Sequence, residues 1–281
     1  MNTYVTRCPV GCAAPLESTS LLLPEGALRR CTHCGQLISA VDEARYHETM
    51  KTFNAPGFNQ PSASEMQRRW SVAQRRLSTA KRLIPGASPM RWLDIGCSRG
   101  QFVEFAARSG FAAEGVEPAP GIAAAARAQG LKVHTGFLED QRFPDASFDA
   151  ASLFEVVEHL RDPLPLLAEV KRILKPGGVL LISTGNTASW TVAAMGARWD
   201  YFHIEKDGGH ISFFNPVSIN ELAKASGFSV ARIETARVKF HEKHDTPRVT
   251  YAAGKAVAEL LNWPARICGR GHDLLAFLQR H

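Results

Sequence analysis

Short apolar segments alternate with helical segments between residues 91 and 184, and this alternation constrains the fold more than any other feature of the chain. The predicted strands are, in chain order, Arg91–Ile95, a strand that ends at Val116, Leu131–Thr135, Phe148–Phe154 and Gly178–Thr184. Helices are predicted after the first, second and fourth of these strands, at about 99–109, 121–129 and 163–174. Such alternation with short loops is typical of a parallel sheet covered by helices on both faces, so the sequence predicts an α/β fold.

The segments on either side of this region have a different character. Residues 46–62 are predicted to form a loop, and Ser64–Ile84 an amphipathic helix with one apolar stripe. Residues 185–215 interrupt the alternation, and a segment of that length inside a compact domain is usually functional. The C-terminal predictions are a helix at 215–226, a strand at 228–233, a helix from about 250 to 261 and a strand at 273–279.

Length and composition leave room for one sizeable core and a small accessory module. The chain has 281 residues, of which 45% are hydrophobic and 21% charged, and this balance argues against wholesale disorder. No apolar run approaches the ~20 residues of a membrane helix, and the N-terminus lacks the apolar core of a signal peptide. We therefore expect a cytoplasmic protein without a membrane span. The net charge of +6 fits either a solvated surface or an anionic partner.

The sharpest local motif follows the first predicted strand. Asp94 ends that strand, Gly96 allows a tight turn, and a helix begins after Gly100. Glu117, followed by Pro118, ends the second strand, where a carboxylate can accept hydrogen bonds from ribose hydroxyls. Dinucleotide-binding proteins use the fingerprint G-x-G-x-x-G, which this turn does not match.

Four motifs in order resemble the class I S-adenosylmethionine-dependent methyltransferases over most of residues 90–235. They are Leu93-Asp94-Ile95-Gly96-Cys97 through Gly100; Val116-Glu117-Pro118; Phe143 to Asp149 with Phe154-Glu155-Val156-Val157-Glu158-His159-Leu160; and Leu174-Lys175-Pro176-Gly177-Gly178 with the strand after it. Ser98 stands where that family more usually has Gly. The resemblance implies a Rossmann-like domain with a mostly parallel seven-stranded sheet, helices on both faces and S-adenosylmethionine as cofactor.

The same resemblance implies roles for individual residues. Those expected to bind the cofactor are Asp94, Gly96, Cys97 and Gly100 near its methionine part, Glu117 with Pro118 at the ribose, Leu138 and Glu139 beside the adenine, and Phe154 under the sulfonium end. Methyl transfer is an in-line displacement that needs positioning of donor and acceptor and, for a hydroxyl acceptor, removal of a proton.

Candidate catalytic groups follow the fourth strand. If that segment opens as a helix, Glu155, Glu158 and His159 share one face, and His159 is the first candidate base because histidine titrates near neutrality. His210, preceded by two glycines, is the second. Some family members, of ubiquinone and small-RNA pathways, bind a divalent cation with a Glu-x-x-Glu-His motif and a later His, so Glu155, Glu158, His159 and His210 are also predicted as Mg²⁺ ligands.

Four cysteines near the N-terminus predict a structural zinc site. Cys8 and Cys12 form a C-x3-C pair, and Cys31 and Cys34 a C-x2-C pair, which is the arrangement of a zinc ribbon. Cys97 and Cys268 are expected to pack as small apolar side chains. The predicted organisation is a zinc ribbon at 1–45, a linker and helical cap at 46–89, and an S-adenosylmethionine-binding domain at 90–281 with an insertion at 185–215.

The preferred functional hypothesis is methylation of a small metabolite, with a sugar or nucleotide-linked sugar as the expected class. The insertion carries aromatic residues on which sugars pack, namely Trp190, Trp199, Tyr201 and Phe202. Three arginines spaced by seven, Arg68, Arg75 and Arg82, would help hold a phosphate. The alternatives are an RNA methyltransferase that uses the ribbon to bind RNA, and a non-catalytic scaffold that retains cofactor binding.

Overall fold

The computed structural model describes residues 3–51, 62–84, 89–205, 209–242 and 246–281. It contains a strand at every position where the sequence predicts one. The strands of these ranges are β1 Leu16–Leu23, β2 Gly26–Cys31, β3 Leu37–Ile38, β4 Arg91–Ile95, β5 Ala112–Glu117, β6 Val133–Thr135, β7 Phe148–Phe154, β8 Leu174–Gly185, β9 Ser212–Phe213, β10 Phe228–Ala236 and β11 Asp273–Arg280. The helices are α1 Glu43–Met50, α2 Ala63–Leu83, α3 Gln101–Arg108, α4 Pro120–Arg127, α5 Leu164–Ile173, α6 Trp190–Met195, α7 Pro216–Ser226 and α8 Arg248–Ile267.

Within the described ranges, the main sheet has seven strands in the order β10-β11-β8-β7-β4-β5-β6. All neighbours pair in parallel except β11, which is antiparallel to both β10 and β8. The chain runs outward from β4 to β6 and then returns to β7 on the other side of β4. Ligands of such sheets bind at the carboxyl ends of the strands where the order reverses. The predicted mostly parallel, seven-stranded sheet is confirmed.

The core explains why the central strands are almost continuously apolar. Helices cover both faces of the sheet, so successive side chains of β7 are buried in both directions. On one face, α2 packs Ala73, Leu77 and Ala80 against Trp92 and Phe105. The apolar stripe predicted for this helix is therefore the face that meets the sheet.

Two local predictions were wrong. The loop predicted at 46–62 is helical up to Met50, because Asp42 caps α1 and Tyr46 buries its ring against Tyr4 at 4.7 Å between centroids. The rest of that predicted loop, residues 52–61, lies outside the described residues. The helix predicted to end at Leu261 continues to Ile267 through Pro264. A proline in the last turn removes a single backbone hydrogen bond, and the buried Ala265 keeps that turn packed on the protein.

A second sheet joins the N-terminal segment to the predicted insertion. Its order is β1-β2-β3-β9, so that β3, directly after the fourth cysteine, pairs with β9 of residues 185–215. The Gln36 amide donates to the Ser212 hydroxyl at 2.7 Å and reinforces this pairing. The cysteine-containing segment and the insertion therefore form one structural unit beside the main sheet. In the described part of the chain, no helix combines the length and the apolarity required to cross a membrane.

Candidate functional site

The turn after β4 is built from left-handed backbone. Gly96, Ser98 and Gly100 have φ of 71°, 48° and 76°. A Cβ on Gly96 would lie 2.7 Å from a methyl group of Val156, so a side chain there would clash as well as be strained. The amides of residues 96 and 97 donate to the Val116 carbonyl at 2.9 and 3.1 Å, which closes the turn over the end of β5.

Glu117 lies across this turn, as the sequence predicts. Its carboxylate accepts hydrogen bonds from the backbone amides of Ser98 at 2.8 Å and Ala119 at 2.9 Å. Burial nevertheless raises the pKa of Glu117, and the two amides oppose that rise. Each carboxylate oxygen retains a lone pair, so the fixed carboxylate can still accept from a ligand hydroxyl. Pro118, beside it, is exposed.

Asp94 ends a buried chain of hydrogen bonds. The Trp92 indole donates to the Ser152 hydroxyl at 2.9 Å, which in turn donates to Asp94 Oδ1 at 2.5 Å. Burial raises the pKa of Asp94 to about 7, against the opposing effect of the Ser152 bond. The carboxyl is thus held in one orientation at the carboxyl end of β4, and its charge depends on what lies next to it.

Arg76 is the functional candidate that sequence reasoning missed. It enters the site from α2, with its guanidinium carbon 4.7 Å from the centroid of the Phe154 ring. Within the described residues, its buried Nε atom has no hydrogen-bond partner. Burial lowers the pKa of Arg76, while nearby Glu155 and Asp273 oppose this effect. An oriented cation with unused hydrogen-bonding capacity can bind an anionic ligand group.

The arginine row singled out from the sequence lies elsewhere. Arg68, Arg75 and Arg82 are exposed on the outer face of α2. The sequence pattern of α2 does mark Arg76. This residue lies three positions after Ala73 and one before Leu77, at the border of the buried apolar stripe. A charged residue at such a border can reach the site beneath the helix.

The other predicted cofactor residues occupy different environments. Cys97 packs its buried sulfur against Gly115, where an added Cβ would approach it to 2.5 Å, and the same sulfur contacts the Ser98 carbonyl at 3.7 Å, so its side chain supports the turn from within the core. Leu138 is buried in the main core, whereas Glu139 is exposed at the start of a short 3-10 turn. Phe154 packs edge-on against Phe102 at 4.6 Å between centroids, which fixes its ring under Arg76.

Three of the four acidic and histidine residues predicted to act together after β7 form a cluster. Ligand atoms of Glu158, His159 and His210 all lie within 4.8 Å of one another. Glu155 is outside this set, because its φ of 55° prevents the predicted helical face and only Val157–His159 makes a 3-10 turn. Its carboxylate instead accepts from Ser183 at 2.9 Å and lies 3.1 Å from the Tyr201 hydroxyl.

Two features define the chemistry of this cluster. Burial, followed by the charge of Glu155, raises the pKa of Glu158 well above its usual range, although its carboxyl contacts the Tyr201 hydroxyl. Oε2 of Glu158 has no hydrogen-bond partner among the described residues. His210 places Nδ1 3.0 Å from the Tyr201 carbonyl and Nε2 3.9 Å from Glu158 Oε1. Because only a protonated Nδ1 can donate to a carbonyl, a neutral His210 has its lone pair on Nε2, facing the cluster.

The N-terminal segment supports this cluster directly. The Tyr46 hydroxyl donates to the His159 carbonyl at 2.7 Å. The amide of Ile211, next to His210, donates to the Glu158 carbonyl at 2.9 Å, and the amide of Ser39 donates to the Ile211 carbonyl at 3.0 Å. The backbone of all three cluster residues is therefore held between β7, the insertion and the segment that follows the cysteines.

The four N-terminal cysteines converge as a metal site requires. Their sulfur atoms all lie within 4.8 Å of one another, and Cys8 and Cys34 are 3.6 Å apart. Tetrahedral zinc with bonds of about 2.3 Å needs sulfur–sulfur distances near 3.8 Å, so the cluster fits this ion. A hydrogen bond from Cys34 lowers the pKa of Cys8 to about 6, whereas burial raises that of Cys12 to about 12.

Comparison with known proteins agrees with this geometry. The sequence profile of the methyltransferase domain family matches residues 62–233. The chain is 35% identical over 150 residues to a ubiquinone biosynthesis O-methyltransferase of Dinoroseobacter shibae, over 49% of this chain and 59% of that relative. It spans about six-tenths of the length of the curated relatives it matches. A methyltransferase structure from Archaeoglobus fulgidus has a TM-score of 0.54 at 19% identity, covering 84% of this chain and 99% of that one.

A second solved structure shares the fold at similar distance. It is a geranyl diphosphate C-methyltransferase from Streptomyces coelicolor, with a TM-score of 0.54, 16% identity and coverage of 84% of this chain and 98% of that one. At such identities the structural likeness establishes the fold alone. The profile match establishes the family: this chain belongs to the methyltransferase domain family, as its motifs predicted.

We expect the purified protein to contain about one zinc ion per chain, because four convergent thiolates make a closed tetrahedral site. Cys31→Ser should reduce the zinc content sharply and lower the melting temperature, whereas Cys268→Ser, at an exposed position, should leave both unchanged. Elemental analysis and thermal unfolding provide the two measurements. A metal-free wild-type protein with the same melting temperature as a zinc-loaded one would contradict the site.

We expect Asp94 to make the ligand-free protein less stable as pH rises. Its pKa is raised from an ordinary value of 3.8 to about 7, so its contribution is present below pH 4 and lost as pH rises through 7. Asp94→Asn should therefore flatten the fall in unfolding free energy over this interval by a few kcal/mol. Denaturant unfolding across pH tests this, with the exposed Asp140→Asn as control. Equal pH dependence in all three proteins would contradict the expectation.

Proposed function

We propose that this protein is an S-adenosylmethionine-dependent methyltransferase that transfers a methyl group to a hydroxyl oxygen of a small molecule. The observation that carries the proposal is the adjacency of two sites at one edge of the sheet. The Gly96 turn and Glu117 lie at the carboxyl ends of β4 and β5, where ligands of such sheets bind, and Arg76 contacts Phe154 at the end of β7. Glu158 follows shortly after Phe154, and His210 lies against it. Donor and acceptor can therefore be held in line between them.

The cofactor residues match the chemical parts of S-adenosylmethionine. Glu117 is oriented to accept hydrogen bonds from the ribose hydroxyls. Arg76 supplies a charge and a donor for the methionine carboxylate, and the same ligand would satisfy its buried Nε atom. Asp94 lies at the end of the adjacent strand, where a nearby ammonium group would favour its ionised form. Phe154 lies beneath Arg76, at the end of the strand that leads to the Glu158 cluster.

Proton removal is assigned to His210. When bound, S-adenosylmethionine supplies a methyl carbon activated by its sulfonium. The acceptor hydroxyl gives its proton to His210 Nε2, while the Tyr201 carbonyl fixes the tautomer through Nδ1. Glu158 stabilises the imidazolium that results. His159, the first candidate from sequence, is assigned a supporting role, since its backbone carbonyl is held by Tyr46 and its ring lies 4.7 Å from that of His210.

The same three residues also fit a divalent cation. Ligand atoms within 4.8 Å of one another can share a metal, and a metal bond would satisfy the buried oxygen of Glu158 that has no partner among the described residues. Two imidazoles and one carboxylate suit a transition-metal ion better than the predicted Mg²⁺. A cation held by Glu158, His159 and His210 would lower the pKa of the acceptor hydroxyl. Glu155 would not take part, because it is committed to Ser183 and Tyr201.

The acceptor class follows from the relatives and from the exposure of the aromatic rings. The relatives named as O-methyltransferases support oxygen as the acceptor atom. A sugar or nucleotide-linked sugar requires exposed ring faces, but Trp199 and Phe202 are 1% and 0% exposed and belong to the core. Trp190 and Tyr201 are only partly buried and are the rings still available to an acceptor. We therefore retain a hydroxyl-bearing small molecule as the acceptor and treat sugars as one class within it.

The alternatives are less well supported by the described residues. An RNA-binding ribbon needs free basic side chains, yet Arg7 pairs with Asp162, Arg29 donates to the Val5 carbonyl and Arg45 pairs with Glu205 at 2.5 Å. A non-catalytic scaffold would retain cofactor binding but would not need a buried acid and two histidines beside it. The transfer experiment below separates both from the proposal.

We expect Arg76→Met to weaken binding of S-adenosylhomocysteine by about tenfold to a hundredfold, the cost of a lost charged hydrogen bond. Binding of methylthioadenosine, which lacks the carboxylate, should not change. Isothermal titration measures both ligands, and Arg75→Met, on the outer face of the same helix, is the matched control. Loss of affinity for both ligands would place Arg76 in the fold of the pocket instead.

We expect His210→Asn to lower the rate of methyl transfer by about a hundredfold, because it removes the base, while cofactor affinity stays unchanged. The assay follows labelled methyl groups from S-adenosylmethionine into separate pools of phenols, sugar nucleotides and RNA. His33→Asn, at an exposed histidine of the N-terminal segment, is the control. Transfer into RNA alone, or none into any pool despite cofactor binding, would contradict the proposal.

The same variant distinguishes a base from a metal ligand. A titration of wild-type protein with Mn²⁺, followed by electron paramagnetic resonance, reports whether the cluster binds a divalent cation. Binding that His210→Asn abolishes, with activity that a chelator removes, assigns the residue as a ligand. Activity that is insensitive to chelation assigns it as the base.

A further inference from the structure

Helix α8 carries an apolar stripe on its outer surface. Its large apolar side chains are exposed to an unusual extent: Val249 83%, Val257 50%, Leu260 80%, Trp263 72% and Ile267 64%. Residues 249, 253, 256, 260, 263 and 267 follow one another at spacings of three or four, so they form a single row along the helix. Single exposed apolar residues are ordinary, but a continuous row of this length marks a surface that binds something.

The inner face of α8 shows that the stripe is not the side that anchors the helix. Ala258 and Ala265 are its buried residues, and they pack against Val238. Leu261 packs partly buried against the same inner cluster, but the fully buried side chains are small and the other large apolar ones point away from the protein. The exposed row contributes little to the packing of the described residues.

Basic residues border this stripe. Arg248, Lys255 and Arg266 lie along one side of it, together with Glu259, the acidic residue of the helix, so this border has a net positive charge. Arg266 makes a distant ion pair with Glu234 at 3.9 Å and remains largely exposed. An exposed tryptophan, an aliphatic row and a basic border are together typical of helices that lie in the plane of a lipid–water interface.

We propose that α8 docks this protein onto an anionic phospholipid surface. Leu260, Trp263 and Ile267 enter the boundary between headgroups and acyl chains, and the basic border contacts lipid phosphates. Charge favours this occupant over a second copy of the chain, because symmetric pairing through α8 would bring two basic borders and two molecules of net charge +6 together. The proposal does not depend on the methyl-transfer chemistry.

Sedimentation with lipid vesicles tests the proposal. The full-length protein should bind vesicles of phosphatidylcholine mixed with phosphatidylglycerol more tightly than vesicles of phosphatidylcholine alone. Leu260→Glu should weaken this binding by about tenfold or more, because a buried apolar contact is replaced by a charge that the anionic surface repels. Leu22→Glu, which makes the same change at a 71% exposed leucine of β1, should bind as the wild type does.

Two further measurements separate the competing outcomes. Trp263 should shift its fluorescence to shorter wavelength when mixed vesicles are added, and Trp263→Phe should lose that part of the shift while it still sediments. Circular dichroism and cofactor titration verify that Leu260→Glu is folded. Equal vesicle binding by the two leucine variants, equal binding to both lipid compositions, or a lipid-free dimer that Leu260→Glu dissociates would overturn the proposal.

Discussion

The burial of Glu158 is the constraint around which the cluster after β7 is arranged. A carboxyl group that water cannot reach costs several kcal/mol if it is charged and unpaired. Burial accordingly raises its pKa, and the Tyr201 hydroxyl and His210 lie against it. Both neighbours belong to the insertion, so their contacts with Glu158 hold the insertion against the end of β7. A proton on Glu158, or an imidazolium or a cation beside it, therefore stabilises the fold at the end of β7.

The two halves of the site are held together by different kinds of contact. The cofactor half consists of consecutive strand–turn–helix units, in which the Gly96 turn reaches Glu117 across one helix. The acceptor half depends on pairings far apart in the chain, such as Gln36 with Ser212 and Tyr46 with His159, which are separated by 176 and 113 residues. Such contacts must overcome a larger loop-closure entropy. A metal that fixes the cysteine segment would stabilise this half specifically, and its role would then be structural.

The same difference explains what the sequence could predict. The turn at Gly96 and the acid at Glu117 depend on local spacing, so both were found where expected. The two-residue strand β9 exists only because β3 pairs with it, and no local pattern marks it. Glu155 was placed on a helical face that its left-handed backbone does not allow. Arg76 was missed because its direction depends on how α2 docks, whereas α1 could have been found from its Asp42 cap.

The charges around Arg76 fit a ligand with both an anionic and a cationic end. One buried guanidinium lies among Asp94, Glu155 and Asp273, and Arg237 is already paired with Asp273 at 2.6 Å. A carboxylate can therefore bind at Arg76 while the surrounding acids still favour a positive charge a few ångströms away. Methyl transfer turns a sulfonium into a neutral thioether, which removes the charge that these acids attract. If the donor binds as proposed, the acids around Arg76 would therefore favour it over its product.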